Sequence, residues 1–395
     1  MSRLEELIQQ LCPDGVYYKR IEEVAECIAG ATPKTSVPAY WENGTIPWMS
    51  SGEVNNRIVC DTETRITQKG YDSCSTKLVP PNTVVIALAG QGKTRGTVAI
   101  TRIELCTNQS LCSIVSTAEL LPDFLFHYLS GQYTKLRDIS SGDGTRGGLN
   151  LKMIRNFRVP VPPLEVQQEI VRILDQFTEL TAELTAELTA RKKQYEYYRD
   201  ELLTFGSDVP TYKMGNLLRF LNGRAYKQQE LLGKGKYPVL RVGNFYTNSS
   251  WYYSDLELAE DKYCKSGDLL YSWAATLGPK IWNGDKCIFH YHIWKILFDE
   301  NVIDKSYLFY YLQYDLSLIS KSITKSTMIH VSMESMKSRL IKLPSIVEQK
   351  RIASLIGKFD SLCNDLSSGL PAEIEARRKQ YEYYRDKLLT FQEKH

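Results

Sequence analysis

Apolar residues recur at three- and four-residue steps in two separate regions of the chain, which is the pattern of one buried stripe on a helix. A single helix cannot bury such a stripe alone, so pairing of the two helices as a coiled coil is predicted. The first stripe comprises Ile170, Leu174, Phe177, Leu180, Leu184, Leu188, Tyr195, Tyr198, Leu202 and Phe205; the second comprises Ile352, Ile356, Phe359, Leu362, Leu366, Ile374, Tyr381, Tyr384, Leu388 and Phe391.

The first helix is predicted to run from Leu164 to Phe205, with Pro162-Pro163 before its start and Gly206 as the residue that ends it. Within it, residues 181–188 read TAELTAEL. A four-residue unit is nearly one helical turn, so one more copy lengthens the helix by about 6 Å and rotates its end by roughly 40°. This element is either a good helix former or an adjustable spacer. In the second region the segment 367–371 (SSGLP) is predicted to break the helix, with Pro371 near a new helix start.

The two regions are copies of one unit. RKKQYEYYRDELLTF at Arg191–Phe205 returns as RRKQYEYYRDKLLTF at Arg377–Phe391, with 13 of 15 positions identical. Further matched positions are Pro162/Pro344, Gln167/Gln349, Ile170/Ile352, Phe177/Phe359, Tyr18/Tyr212, and the segments 124–129 and 307–312. An internal repeat of this kind predicts four parts in alternation: a variable block (1–160), a helical region (161–206), a second variable block (207–343) and a second helical region (344–395).

The variable blocks mix both kinds of secondary structure. β-rich runs are predicted as strands at 83–89, 97–101, 268–273 and 287–297, and 124–139 and 306–319 are predicted as helices. The predicted fold class is therefore α+β, with two mixed domains separated by long helices.

Composition is that of an ordinary globular protein, with 43% hydrophobic and 24% charged residues among 395. No apolar run approaches 18 residues and the first ten residues have no signal-like apolar segment, so we expect neither a membrane span nor a secretory signal. The nine cysteines are scattered, with no CxxC pair. Reduced thiols in a cytoplasmic protein are expected rather than disulfides or zinc.

The net charge of +3 says little about partners, but its local distribution says more. Residues 144–164 contain no acid and include Arg146, Lys152, Arg155 and Arg158, and the matching stretch 316–333 is acid-free with Lys321 and Lys325. Two such windows at equivalent places favour a polyanionic partner.

Three motifs are candidate signs of other chemistry. ALAGQGKT at Ala87–Thr94 fits a relaxed phosphate-loop pattern, but the residues that follow are β-branched, whereas a phosphate loop must open a helix. A glycine-rich basic hairpin tip is the favoured interpretation. His290 and His292 are predicted on one face of a strand, without a third metal ligand nearby. Asp255 with 260–262 has poor spacing for a nuclease centre, and neither methylase motifs nor a catalytic constellation is found.

With these residues in place, the whole chain resembles the specificity subunit of type I restriction–modification systems. The resemblance rests on LCPDGVYYKRIEEV (11–24), PVPPLEVQQEIVRILDQF (160–177), both QYEYYRD blocks and SSGLPAEIEARRKQ (367–380). The TAEL repeats resemble those of the IC-type branch. In that family each variable block recognises one half of a bipartite DNA site.

The resemblance implies that the helical regions form an antiparallel coiled coil, in a pseudo-two-fold circular arrangement whose chain ends meet. This coiled coil would set the spacing and dock two methylase subunits, and through them motor and nuclease subunits. S-adenosylmethionine, and ATP with Mg²⁺, are expected in those partners, whereas this chain is expected to hold no cofactor and no metal and to catalyse nothing. Matched blocks suit two copies of one partner.

Candidate residues follow from these roles, since Arg, Lys, Asn and Gln bind base edges or phosphates. For DNA contact they are Gln91, Lys93, Thr94, Arg95, Thr145 and Arg146 in the first block and Arg241, Asn244, Lys280, Lys325, Ser326 and Thr327 in the second. For methylase docking they are Tyr195, Tyr198, Arg199, Tyr381, Tyr384 and Arg385. Two alternatives stay open: an orphan DNA-binding scaffold that recruits no methylase, and a nucleotide-dependent enzyme resting on 87–94 alone.

Overall fold

The computed structural model describes residues 2–90, 94–140, 148–246, 248–321, 330–365 and 367–394. The chain divides into two compact units, Met1–Leu184 with Ile374–His395 (unit 1) and Thr185–Glu373 (unit 2). Each unit therefore contains one variable block and a part of each helical region. None of the helices in the described ranges is long and apolar enough to cross a membrane.

Unit 1 is built on a five-stranded sheet of order β2-β9-β6-β7-β4, a three-stranded sheet of order β5-β3-β8 and the pair β1-β10. Its strands are β1 Tyr17–Arg20, β2 Ala25–Ala29, β3 Ile46–Met49, β4 Ile58–Val59, β5 Thr64–Ile66, β6 Val84–Ala87, β7 Val98–Thr101, β8 Cys106–Thr107, β9 Leu111–Ser116 and β10 Arg158–Val161. Its helices are α1 Arg3–Leu11, α2 Ile21–Val24, α3 Gln68–Asp72, α4 Pro122–Gly131, α5 Tyr133–Asp138 and α6 Leu151–Arg155, with the first part of α7 Leu164–Leu202.

Unit 2 repeats this plan with sheets of order β12-β19-β16-β17 and β14-β13-β18-β15 and the pair β11-β20. Its strands are β11 Thr211–Lys213, β12 Arg219–Asn222, β13 Tyr237–Leu240, β14 Tyr252–Ser254, β15 Tyr263–Cys264, β16 Leu269–Ser272, β17 Gly278–Ile281, β18 Cys287–Phe289, β19 Ile293–Leu297 and β20 Leu340–Lys342. Its helices are α8 Met214–Leu217, α9 Val242–Tyr246, α10 Lys305–Lys321, α11 Met333–Ser338 and α12 Ile346–Asn364, and α13 Leu370–Leu388 begins in it and ends in unit 1.

The two helical regions pack against each other inside each unit. In unit 1 the buried core joins Ile170 and Leu174 of α7 with Tyr381 of α13, and Phe177 stacks on Tyr384 with ring centroids 5.3 Å apart. In unit 2 the equivalent pair, Tyr198 of α7 and Phe359 of α12, stacks at 5.7 Å. This helix pairing is what the coiled-coil prediction expects, and the α+β fold class is confirmed.

The same buried glutamine ties each helical region to its variable block. Gln167 donates from Nε2 to the carbonyls of Glu119 (2.9 Å) and Pro162 (2.7 Å) and accepts from the amide of Leu121. Its repeat partner Gln349 donates to the carbonyls of Val302 and Pro344 and accepts from the amide of Asp304. The repeat predicted from the sequence is thus a repeat of hydrogen bonds as well.

The two ends of the chain meet in unit 1, as expected. Val16 and Glu393 form a parallel bridge, in which the Val16 amide donates to the Gln392 carbonyl and the Lys394 amide donates to the Val16 carbonyl, each at 2.9 Å. Gly15 is needed here, because it has φ +94° and an added Cβ would lie 2.4 Å from the Gln392 carbonyl oxygen.

Some predicted elements differ from the observed ones. The long helix starts at Leu164 as predicted but ends at Leu202, so Gly206 is not its terminal residue. The predicted helix 124–139 is two helices that meet at Gln132. The predicted strand 287–297 is two strands separated by a turn at residues 290–292. The break between α12 and α13 falls where the SSGLP segment predicted it.

Candidate nucleic-acid interface

The loops that the sequence favours for DNA contact are described only in part. Their candidates Gln91, Lys93, Thr145, Arg146, Lys325, Ser326 and Thr327 lie outside the described residues. The chain on either side of them is described: residues 88 and 149 in unit 1 and residues 273 and 331 in unit 2 are joined by backbone hydrogen bonds.

The hairpin between β6 and β7 contains two described candidates, Thr94 and Arg95, which differ in their exposure. Thr94 is partly exposed, but Arg95 is only 6% exposed and belongs to the interior of unit 1. The next residue, Gly96, packs close to α5, since an added Cβ would lie 3.5 Å from the Leu136 Cβ. Gly96 therefore packs against α5. Because Arg95 is buried, the expectation that it is an exposed DNA contact is wrong.

The same hairpin bears on the phosphate-loop pattern. β6 pairs antiparallel with β7, with Val84 opposite Ile100 and Ile86 opposite Val98. The described residues after the motif, from Thr94 on, lead into a strand and not into the helix that a phosphate loop must open. The hairpin interpretation is confirmed, and the nucleotide-dependent enzyme loses its only support.

In unit 2, Arg241 is exposed and its guanidinium carbon lies 5.4 Å from the centre of the Tyr252 ring. Asn244 is used internally. Its Oδ1 accepts from the Arg241 amide, and its Nδ2 donates to the carbonyls of Asn248 (3.1 Å) and Ser250 (2.9 Å). Asn244 thus shapes the loop that carries Arg241, and Arg241 is the more exposed side chain of the two.

Lys280 is also occupied within its unit. Its Nζ donates to the Phe245 carbonyl and lies 5.8 Å from the ring centres of Phe245 and Tyr246. Burial lowers the pKa of this ammonium group. A lysine held in this way contributes to the packing of α9 against β17 and is not extended towards solvent.

Histidine and aromatic side chains gather beside Arg241 at the turn between β18 and β19. The His290 and His292 rings lie 4.8 Å apart, and the Trp273 ring lies 5.0 Å from His292 and 6.1 Å from His330. Burial, together with His292 and Arg241, lowers the pKa of His290 to about 4, and burial followed by His330 and Arg241 lowers that of His292. The imidazoles of His290 and His292 are therefore neutral at pH 7 and can act as hydrogen-bond donors and acceptors.

The histidines do not lie on one face of a strand, so that prediction is wrong. Tyr291 and His292 occupy the turn itself. Across the part of the chain that the structure describes, no group of three or more His, Cys, Asp or Glu side chains is arranged to hold a metal ion.

The docking candidates on the helices fall into buried and exposed sets. Tyr195 and Tyr381 are 7% and 4% exposed, so they pack inside their own units and cannot present a docking surface. Tyr195 donates to Gln313 Oε1 at 3.1 Å, and the Tyr381 hydroxyl lies 2.9 Å from His127 Nδ1. Their expected role in docking is corrected to a role in packing.

The remaining candidates are only partly available. Tyr198 is 38% exposed and Tyr384 is half-buried by its stacking on Phe177. Arg199 and Arg385 each pair with the following aspartate, at 2.6 and 2.7 Å, and each lies 5.7 Å from the centre of the tyrosine ring four positions earlier. Both arginines are therefore engaged by side chains of their own helix.

Sequence reasoning missed the most exposed aromatic pair. Tyr197 and Tyr383 are repeat-equivalent and are 64% and 62% exposed. Each meets the next tyrosine edge to face, at 5.4 Å and 5.3 Å between ring centres. The helical period carries the signal, because both lie off the apolar stripe to which Tyr195, Tyr198, Tyr381 and Tyr384 belong.

Comparisons with known proteins agree with the repeat. Residues 13–191 and 206–376 each match the family described as type I restriction modification DNA specificity domain. A putative type I restriction enzyme specificity subunit of Haemophilus influenzae is 34% identical over 284 residues, covering 68% of this chain and 72% of that protein. The specificity subunit of the Escherichia coli type I restriction enzyme EcoR124I/EcoR124II is 32% identical over 197 residues, covering 48% of each.

Two solved structures share the fold. One, from work on complex assembly and conformational transition of the type I restriction–modification system, has a TM-score of 0.65 at 17% identity and covers 96% of this chain and 98% of that one. The other is the S subunit of a type I restriction–modification system from M. genitalium, with a TM-score of 0.55 at 14% identity, covering 95% and 96%.

Proposed function

We propose a mode of DNA recognition for this chain on the premise that it belongs to the type I restriction modification DNA specificity domain family. It is a DNA-specificity subunit of a type I restriction–modification complex and is not itself an enzyme. Its task is to recognise DNA within a complex of several subunits.

The observation that carries the proposal is that the two units share one hydrogen-bonded framework, whereas the variable blocks attached to it differ. Gln167 and Gln349 make the same three hydrogen bonds, and Tyr128 and Tyr311 each donate to the carbonyl of an equivalent strand residue at 3.4 Å. The variable blocks on this frame, proposed as recognition domains over 1–160 and 207–343, differ almost completely in sequence. Two different recognition domains held by the same hydrogen-bonded framework suit a DNA target with two unlike halves.

The test is to express the chain with its neighbouring methylase subunit in a host without DNA methylation and to map modified adenines across the genome. We expect a split motif with two specific halves, present only when both proteins are made. A stable complex without modification would favour the orphan scaffold. S-adenosylmethionine is proposed to bind the methylase, and ATP with Mg²⁺ the motor subunits.

We propose further that two methylase subunits dock on the equivalent exposed faces of α7 and α13, around Tyr197 and Tyr383. Support comes from their nearly equal exposure, their matching contact with the next tyrosine and the near-identity of the surrounding sequence. Exposed tyrosines are common anchors in protein interfaces. Equivalent surfaces on one chain fit two copies of the same partner.

Native mass spectrometry of the co-expressed complex tests this docking. Tyr197→Ala and Tyr383→Ala are each expected to lose one methylase copy, and the double variant both. Tyr17→Ala is the control, because Tyr17 is 56% exposed but lies outside the helical regions. Full occupancy in the double variant would rule out these faces as the docking sites.

The TAEL repeats at Thr181–Leu188 support assignment to the IC-type branch and a role as a spacer. They lie within α7, the helix that passes from unit 1 into unit 2. One copy corresponds to about 6 Å and roughly 40°, of the order of one or two base-pair steps in B-DNA. We propose that the number of copies sets the length of the unread gap between the half-sites.

A further inference from the structure

The turn between β8 and β9 in unit 1 and the turn between β18 and β19 in unit 2 have the same backbone frame. Residues 108–110 form the first and residues 290–292 the second. The matched amide-to-carbonyl bonds, unit 1 before unit 2, are Gly30→Leu111 with Gly223→Ile293, Ala31→Thr107 with Arg224→Phe289, Asn108→Met49 with His290→Leu240, Leu111→Asn108 with Ile293→His290, Leu88→Ser110 with Trp273→His292, and Leu149→Leu88 with Val331→Trp273.

The first side chain of each turn closes the turn in the same way. In unit 1 the Ser110 amide donates to Asn108 Oδ1 at 3.0 Å. In unit 2 the His292 amide donates to His290 Nδ1 at 3.4 Å, which requires that nitrogen to be unprotonated. Asn108 and His290 are therefore positioning residues, and the lowered pKa of His290 agrees with its acceptor role.

A glycine brings a second strand end close against each turn. An added Cβ at Gly30 would lie 2.1 Å from the Thr107 carbonyl oxygen, and one at Gly223 would lie 2.3 Å from that of Phe289. No larger residue fits at either place without moving the backbone. Each turn therefore begins where two backbone segments are in direct contact.

On this shared frame the side chains differ at all three positions, being Asn-Gln-Ser in one unit and His-Tyr-His in the other. The middle side chain is the exposed one in both: Gln109 is exposed, and Tyr291 is 39% exposed. The Thr32 hydroxyl hydrogen-bonds Gln109 Oε1 and orients that amide. Tyr291 lies against the rings of His290 and His292, at 4.4 and 4.0 Å.

The surroundings favour nucleic acid as the ligand. The exposed guanidinium of Arg241 interacts electrostatically with His290 and His292, so a cation suited to a phosphate stands beside the unit 2 turn. Each turn is also bonded through Leu88 or Trp273 to residues 149 and 331, which lie within the two acid-free windows. A backbone arrangement shared by both turns, with different polar side chains at its exposed position, suits recognition of two unlike DNA sequences.

We propose that Gln109 and Tyr291 are specificity-determining residues that hydrogen-bond base edges, one in each half of the bipartite DNA target. The inference rests on the proposed function and deepens it, because it assigns base reading to two equivalent turns. The Gln109 amide and the Tyr291 hydroxyl supply the donors and acceptors that direct readout in the major groove uses.

The test repeats adenine mapping with the full chain and its methylase subunit for Gln109→Ala and Tyr291→Phe. Each substitution removes the reading group without touching the frame. Gln109→Ala is expected to reduce discrimination at one base pair of one half-site about tenfold or more, and Tyr291→Phe to do so in the other half-site. Gln9→Ala on α1 and Tyr17→Phe are matched controls that keep the wild-type motif, since both side chains are exposed and lie away from the turns.

The outcomes separate the inference from the function on which it rests. A wild-type split motif that both variants leave unchanged would overturn the inference and leave the proposed function standing. Relaxation of both halves by one variant would also overturn it, because each turn is assigned a single half-site. If the wild-type complex gives no motif at all, the proposed function fails and the inference fails with it. Complex formation and circular dichroism spectra of the variants are expected to match those of the wild type.

Discussion

At the scale of single residues, matched sequence alone does not tell a buried tyrosine from an exposed one. Tyr195 and Tyr197 are both repeated in the second helical region, yet the first is buried and the second is 64% exposed. The three- and four-residue period of the apolar stripe separates them, because Tyr195 follows it and Tyr197 does not. Burial of Arg95 could not be foreseen in this way, since its neighbour Gly96 packs against a helix about 40 residues later in the chain.

The packing role assigned to Tyr381 can be measured directly by substitution. Its hydroxyl lies 2.9 Å from His127 Nδ1 and accepts from Arg57 at 3.3 Å, within the core of unit 1. Tyr381→Phe leaves these partners without the hydroxyl, so we expect the free energy of unfolding to fall by about 1 kcal/mol in a urea titration. Tyr383→Phe is the control and is expected to change nothing, because Tyr383 is 62% exposed. Equal effects of the two substitutions would contradict the assignment.

His290 makes stability depend on pH. Burial, His292 and Arg241 lower its pKa to about 4, whereas an imidazole in an unfolded chain has a pKa of about 6.5. As pH falls, the unfolded state binds the proton first. The contribution of neutral His290 is therefore fully present above about pH 6.5 and is lost progressively towards pH 4.

We expect the thermal midpoint of the wild type to fall by several degrees between pH 7 and pH 5, and that of His290→Asn to fall less. Asparagine is the matched replacement because Asn108 makes the same turn bond in unit 1 and does not titrate. Scanning calorimetry of both proteins at several pH values measures the difference. Parallel curves would show that His290 is not the titrating group.

At the scale of secondary-structure elements, regular segments were predictable and turns held by distant residues were not. The stripe and the proline pair predicted the start of α7 at Leu164, and the SSGLP segment predicted the break before α13. The turn at residues 290–292 was missed because it contains no glycine, proline, asparagine or aspartate. Its backbone is instead held by bonds to Leu240 and Trp273, which are remote in sequence.

The TAEL element gives a prediction about α7 itself. One further TAEL copy after Leu188 adds about 6 Å and roughly 40° of rotation, which keeps the apolar stripe nearly in phase. We expect the mapped motif to keep both half-sites and to gain one or two base pairs in the unread gap.

A two-residue insertion at the same place is the control for this prediction. It adds only about 3 Å but rotates the helix by about 200°, so the stripe is put on the wrong face and modification is expected to be lost. An unchanged gap after insertion of the full TAEL copy would show that the element is only a good helix former.

At the scale of the whole molecule, the chain is not a succession of four independent parts. Unit 1 is completed by residues from Ile374 onwards, and its core includes Tyr381 and Leu389. The sequence repeat predicted that the chain ends meet, because residues 1–16 precede Tyr18 much as 206–211 precede Tyr212. What the repeat could not give is the identity of the bonds, since the segments that make them are not themselves repeated.

These bonds make unit 1 depend on the last residues of the chain. Truncation after Phe391 removes two backbone hydrogen bonds to Val16 and the ion pair between Arg158 and Glu393, so we expect unit 1 to lose about 1–3 kcal/mol of stability. Hydrogen exchange followed by mass spectrometry should show faster exchange in β1 and β10 and unchanged exchange in β12, β16 and β19 of unit 2. Glu393→Ala is the control: it removes only a partly exposed ion pair, so its effect should stay below about 1 kcal/mol. Uniform acceleration in both units would mean that the chain unfolds as one body, and no acceleration would mean that the closing bridge adds nothing to unit 1.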